Sequence, residues 1–509
     1  MRQSGILMPI FSLPSKFGIG CFDREAKGFV DFLYKSAQGV WQVLPLGPTG
    51  FGNSPYQPVS AFAGNPYFIS LEALIEQGLL TWEECNGCDF GNDQERVDYG
   101  ALYFNRKGVL SKACTKFFEK LSEDKELNKK YEEFVKKEED WLMDYALFCV
   151  IKDINEGKPW YEWEDKLKKH DDKALKAVAS EHKEDIDLIY FEQFIFNEQW
   201  NELHEYANSK NIEIIGDMPF YVSLDSVDVW QHPEVFQLDK DLLPKVVAGC
   251  PPDAFSRTGQ MWGNPIYDWK KTAKDGYSWW MLRMKRNTEL FDTVRIDHFH
   301  GFAEYYAIPY GAEDATKGTQ EVGPGMDFFN ALKKALGDVS LIAEDLGTVT
   351  KENEALLEET GIPGMKVLQY AFTSWDSKYL THRHEKNCVV YTGTHDNTPT
   401  RAWVEEIGDG HRDFTRRYVN SRNSDFGGLV WDIIREAYHS SGDLCIVPLQ
   451  DYLVKGREAR INSPGTLDGN WEWRLIPNFL SDALAGSIRE MVETYGRVPT
   501  EKVASPMLT

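Results

Sequence analysis

Short runs of β-branched and aromatic residues recur along the chain, and each run ends at a turn-forming or polar residue. Between the first two runs, Phe29, Val30, Leu33 and Tyr34 repeat at the spacing of an α-helix. A strand, a helix and a second strand at this spacing form a βαβ unit with parallel strands. About eight strands with helical crossovers predict an α/β fold of the (β/α)₈ TIM-barrel type. The predicted strands are 5–10, 40–45, 211–219, 293–297, 340–346, 365–370, 388–394 and 444–448.

One segment, residues 71–210, is far longer than a barrel crossover requires, and its pattern is helical. We therefore predict a mainly helical subdomain inserted between the second and third strands. Its charged part, residues 123–139, is typical of a solvated helical face. An apolar stripe at helical spacing is more typical of a core than of a binding surface, and it consists of Trp141, Leu142, Tyr145 and Phe148.

A second long segment, residues 220–292, separates the third and fourth strands and is rich in loops. Gly, Pro, Asn and Ser punctuate its part 250–265, which we interpret as a loop. Because this loop carries Phe255, Gln260 and Trp262, it suits a lid over a substrate groove. A surface loop pinned by its aromatic side chains explains the segment equally well. Both insertions would belong to one catalytic barrel domain, residues 1–509.

The stretch 293–301 places an arginine and an aspartate two residues apart at the end of a strand. Extended chain alternates sides, so we expect Arg295, Asp297 and Phe299 on one side, opposite Ile296 and His298. A charged pair is costly to bury unless it is satisfied or used. It is either an internal ion pair or a catalytic carboxylate that Arg295 keeps ionised at the mouth of the barrel.

Acidic residues stand at the carboxyl ends of the third, fourth, fifth and seventh predicted strands: Asp217, Asp297, Glu344 and Asp396. Each alone is more often structural than catalytic, but barrel chemistry is done at that end of the strands. Their mutual repulsion, offset by Arg295 and the histidines, would raise one carboxyl pKa. A protonated acid beside an ionised carboxylate is what glycosidic chemistry needs.

The charge of the chain is strongly negative, at −24, with 80 acidic and 56 basic residues. Such a surface repels phosphate backbones and anionic membranes, so we expect neither nucleic acid nor membrane as a partner. No apolar run approaches the ~20 residues of a membrane helix. Together with scattered cysteines, this predicts a cytoplasmic protein.

Two further compositional features bear on ligands. Aromatic residues make up 13% of the chain, which suits stacking on sugar rings but also an aromatic-rich core. Cys85 and Cys88 form a lone C-x-x-C without the second ligand pair that zinc requires. Since no P-loop or other metal-ligand cluster is evident, we expect no metal and no cofactor.

Three motifs resemble the conserved regions of the α-amylase clan: Arg295-Ile-Asp-His-Phe, Ala343-Glu-Asp-Leu-Gly347 and Thr394-His-Asp-Asn397. With four further motifs, the chain resembles the 4-α-glucanotransferases (amylomaltases, or disproportionating enzymes) of glycoside hydrolase family 77 along essentially its whole length. Those four are Asn53-Ser-Pro-Tyr56, Gly216-Asp-Met-Pro219, Gly259-Gln-Met-Trp-Gly-Asn-Pro265 and Asn462-Ser-Pro-Gly-Thr466.

The resemblance implies roles for individual residues. Asp297 would be the nucleophile, Glu344 the general acid and base, and Asp396 the carboxylate that supports the oxocarbenium-like transition state. Arg295 would keep Asp297 ionised. His298 and His395, aided by Asp217, would bind sugar hydroxyls at the donor side. The implied groove residues are Ser54, Tyr56, Asp253, Gln260, Trp262, Asn462 and Pro464, with Phe255 in a loop over the acceptor site.

The chain departs from the family pattern at His300, where Arg is usual, and at Ala254, where many members carry Tyr. These departures leave donor-side electrostatics and acceptor preference open. The implied partners are malto-oligosaccharides and α-1,4-glucans, acted on by a monomer or a weak homo-oligomer. Two alternatives remain: a glucan hydrolase of the same clan, and a non-catalytic glucan-binding protein.

Overall fold

The computed structural model describes residues 2–50, 52–252, 256–347 and 349–499. Asp253, Ala254 and Phe255, which the sequence singled out, lie outside these described residues. The described part contains twelve strands: β1 (Gln3–Leu7), β2 (Val40–Gln42), β3 (Glu213–Met218), β4 (Val246–Cys250), β5 (Gln260–Pro265), β6 (Thr293–Ile296), β7 (Glu304–Pro309), β8 (Thr319–Val322), β9 (Leu341–Ala343), β10 (Gly364–Val367), β11 (Cys388–Tyr391) and β12 (Leu444–Pro448).

Eight of these strands form one parallel sheet in the order β10-β11-β12-β1-β2-β3-β6-β9. Followed around, this order is the order along the chain. The sheet closes between its two ends, because the N–H of Ala343 in β9 donates to the carbonyl of Pro363, just before β10, at 3.0 Å. The predicted (β/α)₈ barrel is therefore confirmed.

The core of the barrel has two parts, on the two sides of the barrel wall. Inside the barrel, aliphatic side chains that alternate along the strands fill the lumen together with Tyr391. Outside it, a much larger cluster joins the strands to the helices; the ring of Phe29, for example, packs on Trp41 at a centroid distance of 4.9 Å. The lumen is lined by Leu7, Val40, Ile215, Ile342, Met365, Val367, Val389, Tyr391 and Ile446.

The described helices begin mostly at side chains that cap their first N–H groups; Asp23, for example, accepts from the N–H groups of Glu25 and Ala26. They are α1 (Arg24–Lys35), α2 (Leu71–Glu76), α3 (Trp82–Asn86), α4 (Tyr99–Glu123), α5 (Lys125–Lys137), α6 (Leu142–Ile154), α7 (Asp165–Lys168), α8 (Asp172–Glu181), α9 (Lys183–Ser209), α10 (Val227–Gln231), α11 (Trp269–Thr272), α12 (Ser278–Leu290), α13 (Met326–Leu336), α14 (Lys351–Thr360), α15 (Thr400–Glu406), α16 (Asp409–Tyr418), α17 (Phe426–His439), α18 (Leu449–Tyr452) and α19 (Asp482–Thr494).

Helices α2 to α9 lie between β2 and β3, as the helical pattern of residues 71–210 predicts. The apolar stripe of Trp141, Leu142, Tyr145 and Phe148 is buried. In α5, within the charged segment, only Phe134 is buried, so that helix presents a solvated face.

A second sheet, with the antiparallel order β5-β4-β7-β8, lies outside the barrel. Part of the segment interpreted as a loop, Gln260–Pro265, is strand β5 of this sheet, so that interpretation is wrong for these residues. The sequence signal is weak because the first four residues of β5 are exposed or half-buried and all four of β8 are exposed. Backbone pairing with distant strands, rather than an apolar alternation, defines this sheet.

No helix among the described residues is long and apolar enough to cross a membrane.

Candidate active site

Four carboxylates lie where barrel strands end. Asp217 is the penultimate residue of β3, Asp297 follows β6, Glu344 follows β9, and Asp396 lies in the loop after β11. Backbone bonds align three of these ends: the N–H of Asp297 donates to the Met218 carbonyl and the N–H of Glu344 to the Ile296 carbonyl, both at 3.0 Å. The parallel barrel thus brings together residues that are far apart in the chain.

A glycine is required beside Asp217. At Gly216, an added Cβ would lie 2.1 Å from the ring of Phe291, which packs directly against the strand. This close approach explains the glycine of the Gly216-Asp-Met-Pro219 motif.

Arg295 connects two of the four carboxylates. Its Nη1 donates to both oxygens of Asp217, at 2.6 and 2.7 Å, and to Oδ1 of Asp297 at 3.2 Å. Tyr56 also donates its hydroxyl to Asp217, at 2.9 Å. Arg295 and Asp217 are buried, whereas the Asp297 side chain keeps 31% of its surface exposed. The ion pair between Arg295 and Asp297 is therefore present, but Asp217 is the tighter partner of Arg295.

The strand ends earlier than the alternation pattern predicts. His298 has a left-handed backbone, with φ of 50°, and Phe299 begins a short 3-10 turn. Phe299 is buried in the core and does not share a side with Asp297, so the expected alternation fails beyond Asp297. A non-glycine residue in this conformation carries strain of about 1 kcal/mol, and such strain is common at functional sites.

The strained turn has a direct use, because it aims a backbone donor at Glu344. The N–H of His298 donates to Oε2 of Glu344 at 2.8 Å, and the N–H of Leu346 donates to Oε1 at 2.9 Å. Both oxygens of Glu344 are therefore oriented by the backbone rather than by another side chain.

The site raises the pKa of two of its carboxyl groups, Asp297 and Glu344. Burial raises the pKa of Asp297 well above its ordinary value; Arg295 opposes this, and the neighbouring carboxylates add to it. Burial also raises the pKa of Glu344, against the opposing effects of Arg295 and the two backbone donors. For Arg295, burial lowers the pKa, but Asp217 and Asp297 outweigh burial and raise it, so the guanidinium stays charged. The group therefore retains a proton to higher pH than isolated carboxyls do.

The two histidines beside these carboxylates are neutral. Burial lowers the pKa of His298 to about 3 and also lowers that of His395. The expectation that histidines offset the carboxylate repulsion is therefore wrong, and Arg295 carries this charge compensation. Neutral imidazoles remain available as hydrogen-bond partners for uncharged hydroxyl groups.

Asp396 belongs to a network formed by two loops. The amide of Asn462 donates to Oδ1 of Asp396 at 2.6 Å, and the Asn462 N–H donates to the His395 carbonyl at 3.1 Å. The Asp396 side chain is 44% exposed. One carboxylate oxygen is thus fixed by an amide while the side chain remains accessible to a ligand.

Aromatic rings border the carboxylates on two sides. The ring of Tyr56 stacks on His395 at a centroid distance of 4.9 Å, with Trp471 beside both. Across the site, Trp262 meets the ring of His298 edge-on at 5.0 Å, and Tyr221 lies next to them. Apolar ring faces next to hydrogen-bonding groups suit the two kinds of surface that a sugar presents.

The other predicted residues lie at the edges. Ser54 orders the loop before Tyr56 by accepting its N–H at 3.3 Å. Exposed Gln260 accepts from the indole N–H of Trp262 at 3.2 Å. Pro464 is exposed in the loop that follows Asn462. Asp253 and Phe255 lie outside the described residues.

Three residues of the site were not predicted: Tyr221, Arg460 and Trp471. Arg460 and Trp471 lie on either side of the Asn462-Ser-Pro-Gly-Thr466 motif in the chain, and this proximity was the available signal. Tyr221 follows the third strand without a motif of its own. His300, the departure from the family pattern, is buried in the turn Phe299–Phe302, and burial lowers its pKa.

This arrangement can supply an ionisable acid, a nucleophilic carboxylate and neutral hydrogen-bonding groups in one pocket. Among residues 2–50, 52–252, 256–347 and 349–499, no three His, Cys, Asp or Glu side chains form a group that could hold a metal ion.

Sequence and structure comparisons point to one family. A family model described as 4-alpha-glucanotransferase matches residues 8–478. The 4-alpha-glucanotransferase of Clostridium butyricum is 44% identical over 493 residues, which are 96% of this chain and 100% of the relative. That of Thermus thermophilus is 42% identical over 503 residues, which are 98% of this chain and 99% of the relative.

Solved structures agree with the sequence relatives. Amylomaltase from Streptococcus agalactiae, in complex with acarbose, superimposes with a TM-score of 0.94 at 38% identity, covering 98% of this chain and 100% of that one. Amylomaltase from Corynebacterium glutamicum has the same fold, with a TM-score of 0.75 at 19% identity, covering 98% of this chain and 75% of that one.

Proposed function

Because the chain belongs to the family of 4-α-glucanotransferases, we propose that Asp297, Glu344 and Asp396 carry out its reaction. The reaction is that of a 4-α-glucanotransferase. An α-1,4-glucan segment moves from a donor malto-oligosaccharide, or a starch- or glycogen-derived glucan, to the 4-hydroxyl of an acceptor glucan or glucose. The observation that carries the proposal is that β6 and β9 place Asp297 and Glu344 in one pocket around Arg295.

In the first step, Asp297 attacks the anomeric carbon of the donor while Glu344 protonates the leaving glycosidic oxygen. The bond to the leaving chain breaks, and a covalent β-glucosyl ester forms on Asp297. The guanidinium of Arg295, 3.2 Å from Asp297, favours the ionised form of this carboxylate against the effect of burial, and the step requires Glu344 to carry the proton. Asp396, held by Asn462, stabilises positive charge on the distorted sugar.

In the second step, Glu344 takes the proton of the acceptor 4-hydroxyl. The hydroxyl oxygen attacks the same carbon on the face that the leaving group has vacated. The ester bond breaks and Asp297 is regenerated. Two inversions at one carbon retain the α configuration.

Transfer competes with hydrolysis, because water and a sugar hydroxyl can attack the same intermediate. Trp262 and Tyr221 next to His298 support transfer, since an apolar wall excludes water while a bound acceptor is held in line. Hydrolysis by the same carboxylates is the alternative activity, and glucan binding without catalysis is the second one.

The setting of the reaction is part of the proposal. Malto-oligosaccharides and other α-1,4-glucans are the partners, and a monomer or a weak homo-oligomer acts on them in the cytoplasm. The cysteines of the described residues are not joined in disulfide bonds, which supports a reducing compartment. Residues 71–210 and 220–292 are proposed as inserted subdomains of one catalytic domain.

Incubation with maltotriose alone separates the three activities. A transferase converts it into glucose and longer oligosaccharides while the number of reducing ends stays constant. A rise in reducing ends indicates a hydrolase, and unchanged maltotriose indicates a binding protein.

A trapping experiment tests the residue roles. With Glu344→Gln and an α-glucosyl fluoride donor, whose leaving group needs no acid, the ester should accumulate because the base of the second step is missing. Mass spectrometry of peptides should place the added sugar on Asp297. Glu321→Gln, on the exposed strand β8, is the control and should turn over normally. A sugar on another carboxylate, or no adduct at all, would contradict the assignment.

A further inference from the structure

The guanidinium of Arg460 joins the two loops that carry Asp396 and Asn462. Its Nη2 donates to the backbone carbonyl of Asp396 at 2.9 Å, and its Nη1 donates to the hydroxyl of Thr398 at 2.8 Å. Its Nε donates to the backbone carbonyl of Asn462 at 2.7 Å. One planar group therefore spans both loops with three directed bonds.

These bonds complete a ring of contacts around Asp396. Asn462 already reaches across twice, from its side-chain amide to Oδ1 of Asp396 and from its N–H to the His395 carbonyl. Arg460 adds the third and fourth links between the loops by donating to the Asp396 carbonyl and the Thr398 hydroxyl, while its bond to the Asn462 carbonyl lies within its own loop. Movement of either loop relative to the other breaks at least one of these bonds.

The acceptors distinguish Arg460 from an ordinary surface arginine. They are two carbonyl oxygens and a hydroxyl, so the side chain is oriented by geometry rather than by an ion pair. Arg457, three residues earlier, shows the ordinary case, since it is exposed and pairs with Glu406 at 2.7 Å. A rigid fork with donors on Nε and both Nη atoms can make such contacts, whereas a lysine ammonium on a flexible stem cannot span them.

We infer that Arg460 is a positioning residue of the transfer reaction, which fixes the carboxylate of Asp396 for the transition state without touching substrate. The inference rests on the proposed role of Asp396. Displacement of a reacting group by about 1 Å can cost about 100-fold in rate. Loss of the clamp therefore lowers kcat more than it raises KM, because Asp396 acts mainly on the transition state.

The test compares Arg460→Met and Arg460→Lys with Arg457→Met in the maltotriose assay. We expect kcat to fall roughly 10- to 100-fold in both Arg460 variants, with KM changed less than about threefold. Arg457→Met should keep the parent kcat. Added guanidinium should restore part of the activity of Arg460→Ala but not of Arg460→Lys, since only the former leaves space for it.

Two results would overturn the inference. One is a kcat of Arg460→Met equal to that of Arg457→Met; the other is a loss that appears only in KM and that guanidinium does not rescue. Asp396→Asn, measured in parallel, separates the inference from its premise. An active Asp396→Asn variant removes the proposed role of Asp396, whereas an inactive one beside a fully active Arg460→Met removes only the role of Arg460. Adding Arg460→Met to Asp396→Asn should cause no further loss.

Discussion

At the residue scale, the site is a set of four carboxylates around one compensating cation. Asp217 takes the shorter contacts of Arg295, which leaves Asp297 with a single bond at 3.2 Å and a raised pKa. His298 and His395 do not offset this negative charge, since burial keeps them neutral. Asp297, the proposed nucleophile, is therefore held in an environment that opposes its charge, which would make the carboxylate of the free enzyme reactive.

Asp297→Asn should lower the rate of transfer by roughly 10⁴-fold or more, as the loss of a nucleophile does in other enzymes. It should also make the protein more stable at neutral pH. The reason for the added stability is the linkage between proton binding and folding. A carboxyl whose pKa is raised by folding contributes stability below its unfolded pKa of about 4, and this is lost as pH rises through the folded pKa. The asparagine retains an oxygen that can accept from Arg295 but carries no charge. Its advantage in melting temperature should therefore grow between pH 4 and pH 8.

Thermal unfolding of both proteins across that range checks this prediction. Asp338→Asn is the matched control, because that side chain is 88% exposed and should show no such trend. An Asp297→Asn variant that is less stable than the parent at pH 8 would contradict the electrostatic account, and one with full activity would remove Asp297 from the nucleophile role.

At the element scale, the loop between β11 and α15 is held at both ends by one buried carboxylate. Asp451, in α18, accepts the hydroxyls of Thr392 and Thr400, both at 2.6 Å, and the N–H of Thr400 at 2.7 Å. Burial raises the pKa of Asp451, and these three donors oppose the rise. Asp451 therefore holds the loop that carries Asp396 against α18, and Arg460 holds the same loop against its neighbour.

Asp451→Ala should cost about 3 kcal/mol or more of unfolding free energy, because three buried donors lose their acceptor. It should also lower kcat at temperatures where the variant is folded, since the loop relaxes. Denaturant unfolding and steady-state kinetics measure the two effects.

Asp432→Ala provides the comparison. That carboxylate is also buried and accepts from Asn423 and Arg435, but it lies on α17. We expect it to lose stability and keep kcat. Equal kcat values for the two variants would show that the Asp451 bonds stabilise the protein without positioning the loop.

At the scale of the whole molecule, the helical insertion and the barrel share one core. Trp200 and Phe196 of α9 pack against Phe22 at 5.2 Å, and the indole N–H of Trp200 donates to the carbonyl of Leu290 at 3.0 Å. The hydrophobic cores of the insertion and the barrel are therefore continuous, although α2 to α9 separate β2 from β3 along the chain.

We predict a single cooperative unfolding transition, with residues 71–210 and the barrel melting together. Calorimetry should give equal calorimetric and van't Hoff enthalpies. Phe134→Ala, inside the insertion, should lower the melting temperature of the barrel as much as that of the insertion. An earlier, separate transition of the insertion in this variant would show that the subdomain is an independent unit.

The local pattern of the sequence determined the barrel and the positions of its carboxylates. Strand periodicity, helical stripes and the motifs around Asp297, Glu344 and Asp396 depend on neighbours a few residues apart, so they can be read along the chain. The eight barrel strands were found for this reason, although most are shorter than predicted.

Only the tertiary structure decided how these groups act on each other. The antiparallel sheet has exposed strands without an apolar period, and its ladder is made by distant backbone groups. Arg295 is 78 residues from Asp217, its closest partner, and Arg460 is 64 residues from the Asp396 carbonyl. The neutral state of His298 likewise arises from burial. Pairing and desolvation depend on which distant residues fold together, and no local pattern contains that information.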